Sequence, residues 1–102
     1  MNDIPDVLYI RAHNGIHVVE AKRYAANVYD ATAQLNRYRG NFKYVALPDG
    51  EYYSNEEYVD EAIAERFGLI VVRIRGLGLS AYFYYDSPTY SGNFIQYYEE
   101  PY

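Results

Sequence analysis

The chain of 102 residues has no cysteine, no tryptophan, one methionine and four prolines. Without cysteine there is no disulfide framework, no thiolate metal site and no cysteine nucleophile, so any metal must be held by carboxylate, carbonyl or imidazole groups. Long apolar runs are missing as well. The strongest, Leu69 to Val72, is far too short for a membrane-crossing helix. Met1 leads into Asn-Asp-Ile-Pro rather than a basic and then greasy leader, so the expectation is a cytoplasmic protein with no membrane partner.

Against these absences stand 50% hydrophobic residues and 15 tyrosines, enough apolar surface for one folded domain. The formal net charge is -5, but it is unevenly spread. Residues 1–48 carry six cations against four acids, a net +2, and residues 49–102 carry three cations against ten acids, a net -7. A polyanion therefore meets the N-terminal half first. The overall acidity argues against a non-specific nucleic-acid coat.

Asp6 to Ile10 and Ile16 to Lys22 are rich in Val, Ile, Leu and Tyr, and Asn14-Gly15 between them is the pair favoured by a tight hairpin turn. With Asn14 and Gly15 as the central loop residues, Ile10 faces Val19, Tyr9 faces Glu20, Val7 faces Lys22 and Asp6 faces Arg23. One face then holds Leu8, Ile10, Ala12, Val19 and Ala21, and the other Tyr9, Arg11, Val18, Glu20 and Lys22. His13 and His17, flanking the turn, are expected to be solvent-exposed rather than a metal pair.

Asn27 to Arg39 changes period, with Ala31, Leu35 and Tyr38 at helical spacing and Gly40 placed as a stop. Phe42 to Leu47 predicts a short strand closed by a Pro48-Asp49-Gly50 turn. Ser54 to Glu57 reads as a capping box, with Tyr53 and Tyr58 as a hydrophobic staple, and opens a helix that buries Val59, Ile63 and Phe67 and stops at Gly68. Leu69 to Arg75 begins as a continuous apolar run, which suits a strand covered on both faces by helices. Leu79 to Tyr85 is a further, tyrosine-rich strand.

The order strand, strand, helix, strand, helix, strand, strand predicts an α/β fold, a small mixed β-sheet flanked by two helices. Residues 1–85 form this single domain. Residues 86–102 form a tyrosine-rich, acidic C-terminal arm.

Pro5-Asp6, then Glu20-Ala21-Lys22 on the second strand of a hairpin, then Gln34 and Tyr38 on the next helix, form the most informative constellation. It resembles the PD-(D/E)XK nuclease superfamily, and Gln34 with Tyr38 resembles the QxxxY helix motif of its RecB-like and lambda-exonuclease-like branch. The resemblance covers approximately residues 5 to 75 and implies a restriction-endonuclease-like core in a minimal or degenerate version, without the helix that usually precedes the Asp strand.

The resemblance implies a metal-dependent DNA nuclease, a phosphodiester hydrolase. Asp6 and Glu20, with the carbonyl of Ala21, would hold Mg²⁺ or Mn²⁺, because hard cations take oxygen ligands. Lys22, about 7 Å along the strand from Glu20, would orient the attacking water or stabilise developing charge. Gln34 and Tyr38 would position the nucleic-acid backbone or the catalytic shell. Arg11, Arg23, Arg37, Arg39 and Lys43 are the candidate DNA contacts. In the simple hairpin Asp6 lies on the face opposite Glu20 and Lys22, so a bulge or bend near Pro5-Asp6 is required for the acids to converge.

The competing expectation keeps the fold without catalysis, as a protein-binding or assembly module acting through the Tyr-rich C-terminal half. A small viral accessory protein, in the host cytoplasm, is one form of it, since cysteine-free, Tyr-rich composition is similar to that of many small proteins of viruses of thermophilic archaea. A short chain lacking the usual first helix is also expected to complete its core as a homodimer.

Overall fold

The computed structural model describes residues 7–64, 66–75 and 78–85. Pro5, Asp6 and the arm at 86–102 lie outside the described residues. Among the described residues the order is β1 (Val7–Ala12), β2 (Gly15–Ala21), a 3₁₀ turn (Ala25–Asn27), α1 (Val28–Leu35), β3 (Phe42–Pro48), α2 (Asp49–Tyr53), α3 (Glu56–Ile63), β4 (Gly68–Arg75) and β5 (Gly78–Tyr85). The strands form one sheet in the order β1-β2-β3-β4-β5. β1 and β5 pair antiparallel at the two edges, while β2, β3 and β4 run parallel. The expected mixed α/β sheet is present.

The two parallel crossovers step in the same direction across the sheet. Right-handed connections then place α1 and the α2–α3 pair on one face rather than on both. Val18 of β2, Val45 and Leu47 of β3, and Leu69 and Val71 of β4 point to that face and share a core with Val28, Ala31 and Leu35 of α1, Tyr52 of α2, and Val59 and Ile63 of α3. Each of the large aliphatic side chains among them contributes about 1.5–3 kcal/mol by leaving water. Ile70 and Val72, on the other face of β4, are only half-buried. The expectation of helices on both sides of β4 is thereby corrected for the described elements.

The hairpin register differs from the expected one by two residues. Val7 pairs with Glu20, Tyr9 with Val18, Arg11 with Ile16 and Ala12 with Gly15, so the loop is His13-Asn14. Gly15 opens β2 with a φ of 137°, and a Cβ there would lie 2.4 Å from Asn41 Oδ1. Glycine is required by this close approach rather than by the centre of a turn. Asn41 uses the room: its Oδ1 accepts from Ile16 N at 2.8 Å, and its own N–H donates to Ile16 O at 2.8 Å. An even slip preserves side-chain parity, so every residue keeps its expected face.

α1 ends at Leu35 instead of Arg39. Tight turns follow, in which Arg37 N–H donates to Gln34 O and Tyr38 N–H donates to Leu35 O. Gly40 is not a cap; a Cβ there would meet Val18 Cγ2 at 2.5 Å, so glycine lets the chain cross close over the sheet. Glu51 on α2 steadies the start of this region, its Oε1 accepting from Ala25 N at 2.7 Å.

The segment after β3 departs most from expectation. Asp49 and Gly50 open α2 rather than a turn, with Asp49 Oδ1 accepting from Gly50 N at 2.8 Å and Oδ2 facing Arg73 Nε at 3.4 Å. Ser54 closes α2, and Asn55, not Ser54, precedes α3. Asn55 Nδ2 donates backward to Glu51 O at 2.9 Å, which ties the two short helices together. Tyr53 rests on Tyr52, and Tyr58 meets Tyr29 edge to face at 5.4 Å. α3 stops at Ile63, before the expected Gly68, because Ala64 takes the left-handed conformation with a φ of 48°.

These backbone positions generate a paired stability test. Gly15→Ala is expected to destabilise the fold by about 2 kcal/mol through strain and the clash with Asn41. Ala64→Gly, which relieves a left-handed alanine, is expected to stabilise it by up to about 1 kcal/mol. Urea denaturation of both variants checks the signs.

Candidate functional site

Glu20 stands near the end of β2 on the helix-facing side and is only 2% exposed. A carboxylate so placed is costly unless its charge is answered. Among the described residues, Lys22 and Tyr38 approach it. Lys22, just past the end of β2, brings its Nζ to 3.5 Å from Glu20 Oε2, and its own N–H donates to Ala46 O at 3.0 Å, which holds the backbone beside β3. Tyr38, in the turn beyond α1, lies near enough for the negative charge of Glu20 to act on its phenol.

The Tyr38 phenol is held above its usual value of 10.0, chiefly by burial and then by the negative charge of Glu20, with Tyr9 adding to the effect. At neutral pH it is therefore protonated, with a hydroxyl able to donate toward the carboxylate. Tyr9 on β1 meets the Tyr38 ring at 5.9 Å and 67°. The sheet thus presents Glu20 between an ammonium from its own strand and a phenol from the helix layer, with a second phenol at the rim.

Gln34 lies one turn before Tyr38, at the end of α1, and its Oε1 is buried with no hydrogen-bond partner. A buried acceptor in this state ordinarily marks strain or a place for a donor, water or ion. The structure therefore brings Glu20, Lys22 and Tyr38 into contact and places Gln34 on the adjoining turn. Asp6 is outside the described residues, and the described ladder ends at the Val7–Glu20 pair. Ala21 closes β2 opposite Ala46.

Among the described residues no group of three or more His, Asp or Glu side chains gathers in a way that would hold a metal ion. The donor type at Glu20, a buried carboxylate oxygen, is nonetheless one that a hard cation takes.

The candidate DNA contacts separate into two groups. Arg11, Arg23, Arg37 and Arg39 are exposed. Lys43 is buried at 7% exposure on β3, and desolvation holds its ammonium below the usual 10.5, so it does not belong to an open cationic surface. His17 is likewise corrected. It is buried, stacked on Phe42 at 4.6 Å, with Nε2 3.2 Å from Asn14 Oδ1 and Nδ1 3.4 Å from the Tyr44 hydroxyl. This aromatic group occupies the sheet face opposite Glu20 and takes no part in the site.

Tyr9 is the site neighbour that motif reasoning does not pick out. Its signal is strand alternation, which puts it on the same face as Glu20. Compared with known proteins, the chain matches no family model, no curated protein and no solved structure. Among the described residues, no helix is long and apolar enough to cross a membrane.

The Glu20–Tyr38 contact predicts a titration. Because the folded state holds the Tyr38 proton more tightly than the unfolded chain, this contribution to stability is complete below pH 10 and is lost as the pH rises through the elevated value. In a difference spectrum of wild type against Tyr38→Phe at the phenolate band, Tyr38 should ionise above 10, and Glu20→Gln should bring that ionisation down. An unshifted midpoint in the Glu20→Gln background would contradict the contact.

Proposed function

We propose that this chain is a metal-dependent DNA nuclease with Glu20 at its centre. The observation that supports the reading is the buried Glu20 carboxylate held between Lys22 and Tyr38, because it joins the Glu-x-Lys strand to the Gln-xxx-Tyr segment at one atom group. Nothing in local propensity asks those two segments to meet. A pairing made only for stability is poorly served by burying a carboxylate, since apolar side chains of similar volume are usually as stable or more so.

In this reading Glu20, Asp6 and the Ala21 carbonyl would hold Mg²⁺ or Mn²⁺, which when bound would supply positive charge for the phosphate and acidity for the attacking water. Tyr38 would steady the carboxylate through a hydrogen bond from its hydroxyl, so that one oxygen edge keeps a constant direction. Lys22 places an ammonium beside the same carboxylate, where it orients a water and stabilises negative charge growing on the phosphate. Gln34 offers its buried Oε1 to a water or a substrate donor. The exposed Arg11, Arg23, Arg37 and Arg39 supply charge that would attract a DNA backbone.

The expected result is cleavage of plasmid or single-stranded DNA in Mn²⁺ or Mg²⁺, stopped by chelation. Glu20→Ala should abolish it, and Lys22→Ala should lower the rate about 10²-fold or more with folding intact. A folded protein that cuts neither substrate with either ion sinks the proposal.

One observation favours the second reading, a non-catalytic module that assembles with itself. Edge strand β1 exposes Leu8 at 56% and Ile10 at 40%, and an edge with so little charge invites pairing. Concentration-dependent sedimentation, removed by Leu8→Lys, together with no cleavage, is its expected signature.

A further inference from the structure

We propose that Tyr9 and Arg11 form a shelf for an unpaired stretch of DNA, with a base stacked on Tyr9 and the neighbouring phosphate held by Arg11. The inference rests on the nuclease reading for its biological sense and names the substrate class of that site as single-stranded DNA.

The shelf follows from the layout of the sheet. α1 lies over β2 and β3, so the helix-facing side of edge strand β1 is covered less than its neighbours. Tyr9 pairs with Val18 and Arg11 with Ile16, which sets both side chains on that side. Tyr9 is 52% exposed there, although it touches Tyr38. The two rings meet edge to face at 67°, and in such an arrangement at least one face of Tyr9 is not taken by Tyr38. An exposed phenol ring with an open face is a stacking platform for a base.

Charge separates this tyrosine from the Tyr29–Tyr58 pair. Tyr29 and Tyr58 form a comparable exposed pair, but their sequence neighbours Asp30 and Glu57 repel phosphate. Tyr9 instead has exposed Arg11 two residues along the strand, about 7 Å away, a separation comparable with one nucleotide step of an extended strand. Exposed Arg37 adjoins Tyr38 on the other side. Residues 7–48 as a whole carry six cations against Glu20 and Asp30.

Stacking on a single edge tyrosine requires a base already free of its partner and neighbours, which a duplex interior does not offer. The placement also connects to the candidate centre. Tyr38 touches both Tyr9 and Glu20, so a base on Tyr9 sets the adjoining phosphodiester toward Glu20 and Lys22.

The test is fluorescence anisotropy with a labelled oligo-dT and a duplex of equal length, at low salt and in EDTA, so that binding is read without metal or cleavage. The expected outcome is tighter binding of oligo-dT than of duplex, a loss of about tenfold in Tyr9→Ala, and retention within about twofold in Tyr9→Phe. Arg11→Ala should reduce the salt dependence by close to one counterion. Equal binding by wild type and Tyr9→Ala, stronger binding of duplex, or no binding of oligo-dT by wild type each overturns the shelf. The two readings fail separately. Tyr9-dependent oligo-dT binding without cleavage in any metal leaves the shelf standing and removes the nuclease, whereas cleavage with Tyr9-independent binding does the reverse.

Discussion

Two parallel crossovers that step the same way across the sheet are the constraint on which the rest of this molecule depends. They gather α1, α2 and α3 on one face, where they build the main core with every second residue of β2, β3 and β4. The consequence reaches beyond packing. The helix-covered face receives Glu20, and the turn after α1 carries Tyr38 over it, so the same topology that buries Val18 and Val45 also seals a carboxylate. β1, at the edge of the sheet, is left as a half-open margin to that face.

The cost of sealing Glu20 is met locally and from a distance. Lys22 comes with the strand itself and is held by Ala46 across the parallel ladder. Tyr38 arrives through the chain's return over the sheet, and its close passage depends on the missing side chain at Gly40, where any Cβ would press on Val18. Asn41 then pins the return by bracketing the backbone of Ile16 with two hydrogen bonds. A few small or polar residues between α1 and β3 therefore determine how the phenol meets the carboxylate. The opposite face has its own polar economy in the stacked His17, Phe42 and Tyr44, with His17 bonded to both Asn14 and Tyr44.

Much of the fold was legible in particular residues. Alternation in Val7–Ala12 and Gly15–Ala21 assigned the two hairpin faces, and it survived a register error because the slip was even. Helical spacing identified Ala31, Leu35, Val59 and Ile63 as core. Glycines misled where their reason was tertiary: Gly15 and Gly40 looked like turn and cap signals, yet both are needed for close approaches to Asn41 and Val18. Ser54 looked like a cap, but it closes α2, and Asn55 stands before α3. The burial of His17 and Lys43 was not visible either, since it depends on how β2 and β3 lie together in the sheet.

The sequence by itself determined the α/β class, the strand faces and the residue types able to carry charge and hold a hard cation, because these follow from composition and from local periods of two and 3.6 residues. Only the tertiary structure decided that one sheet face takes all the described helices, that Tyr38 closes on Glu20, and that Tyr9 stands beside them with its ring exposed. Those outcomes belong to contacts between segments distant in the chain, and no local pattern encodes the distance at which such segments come to rest.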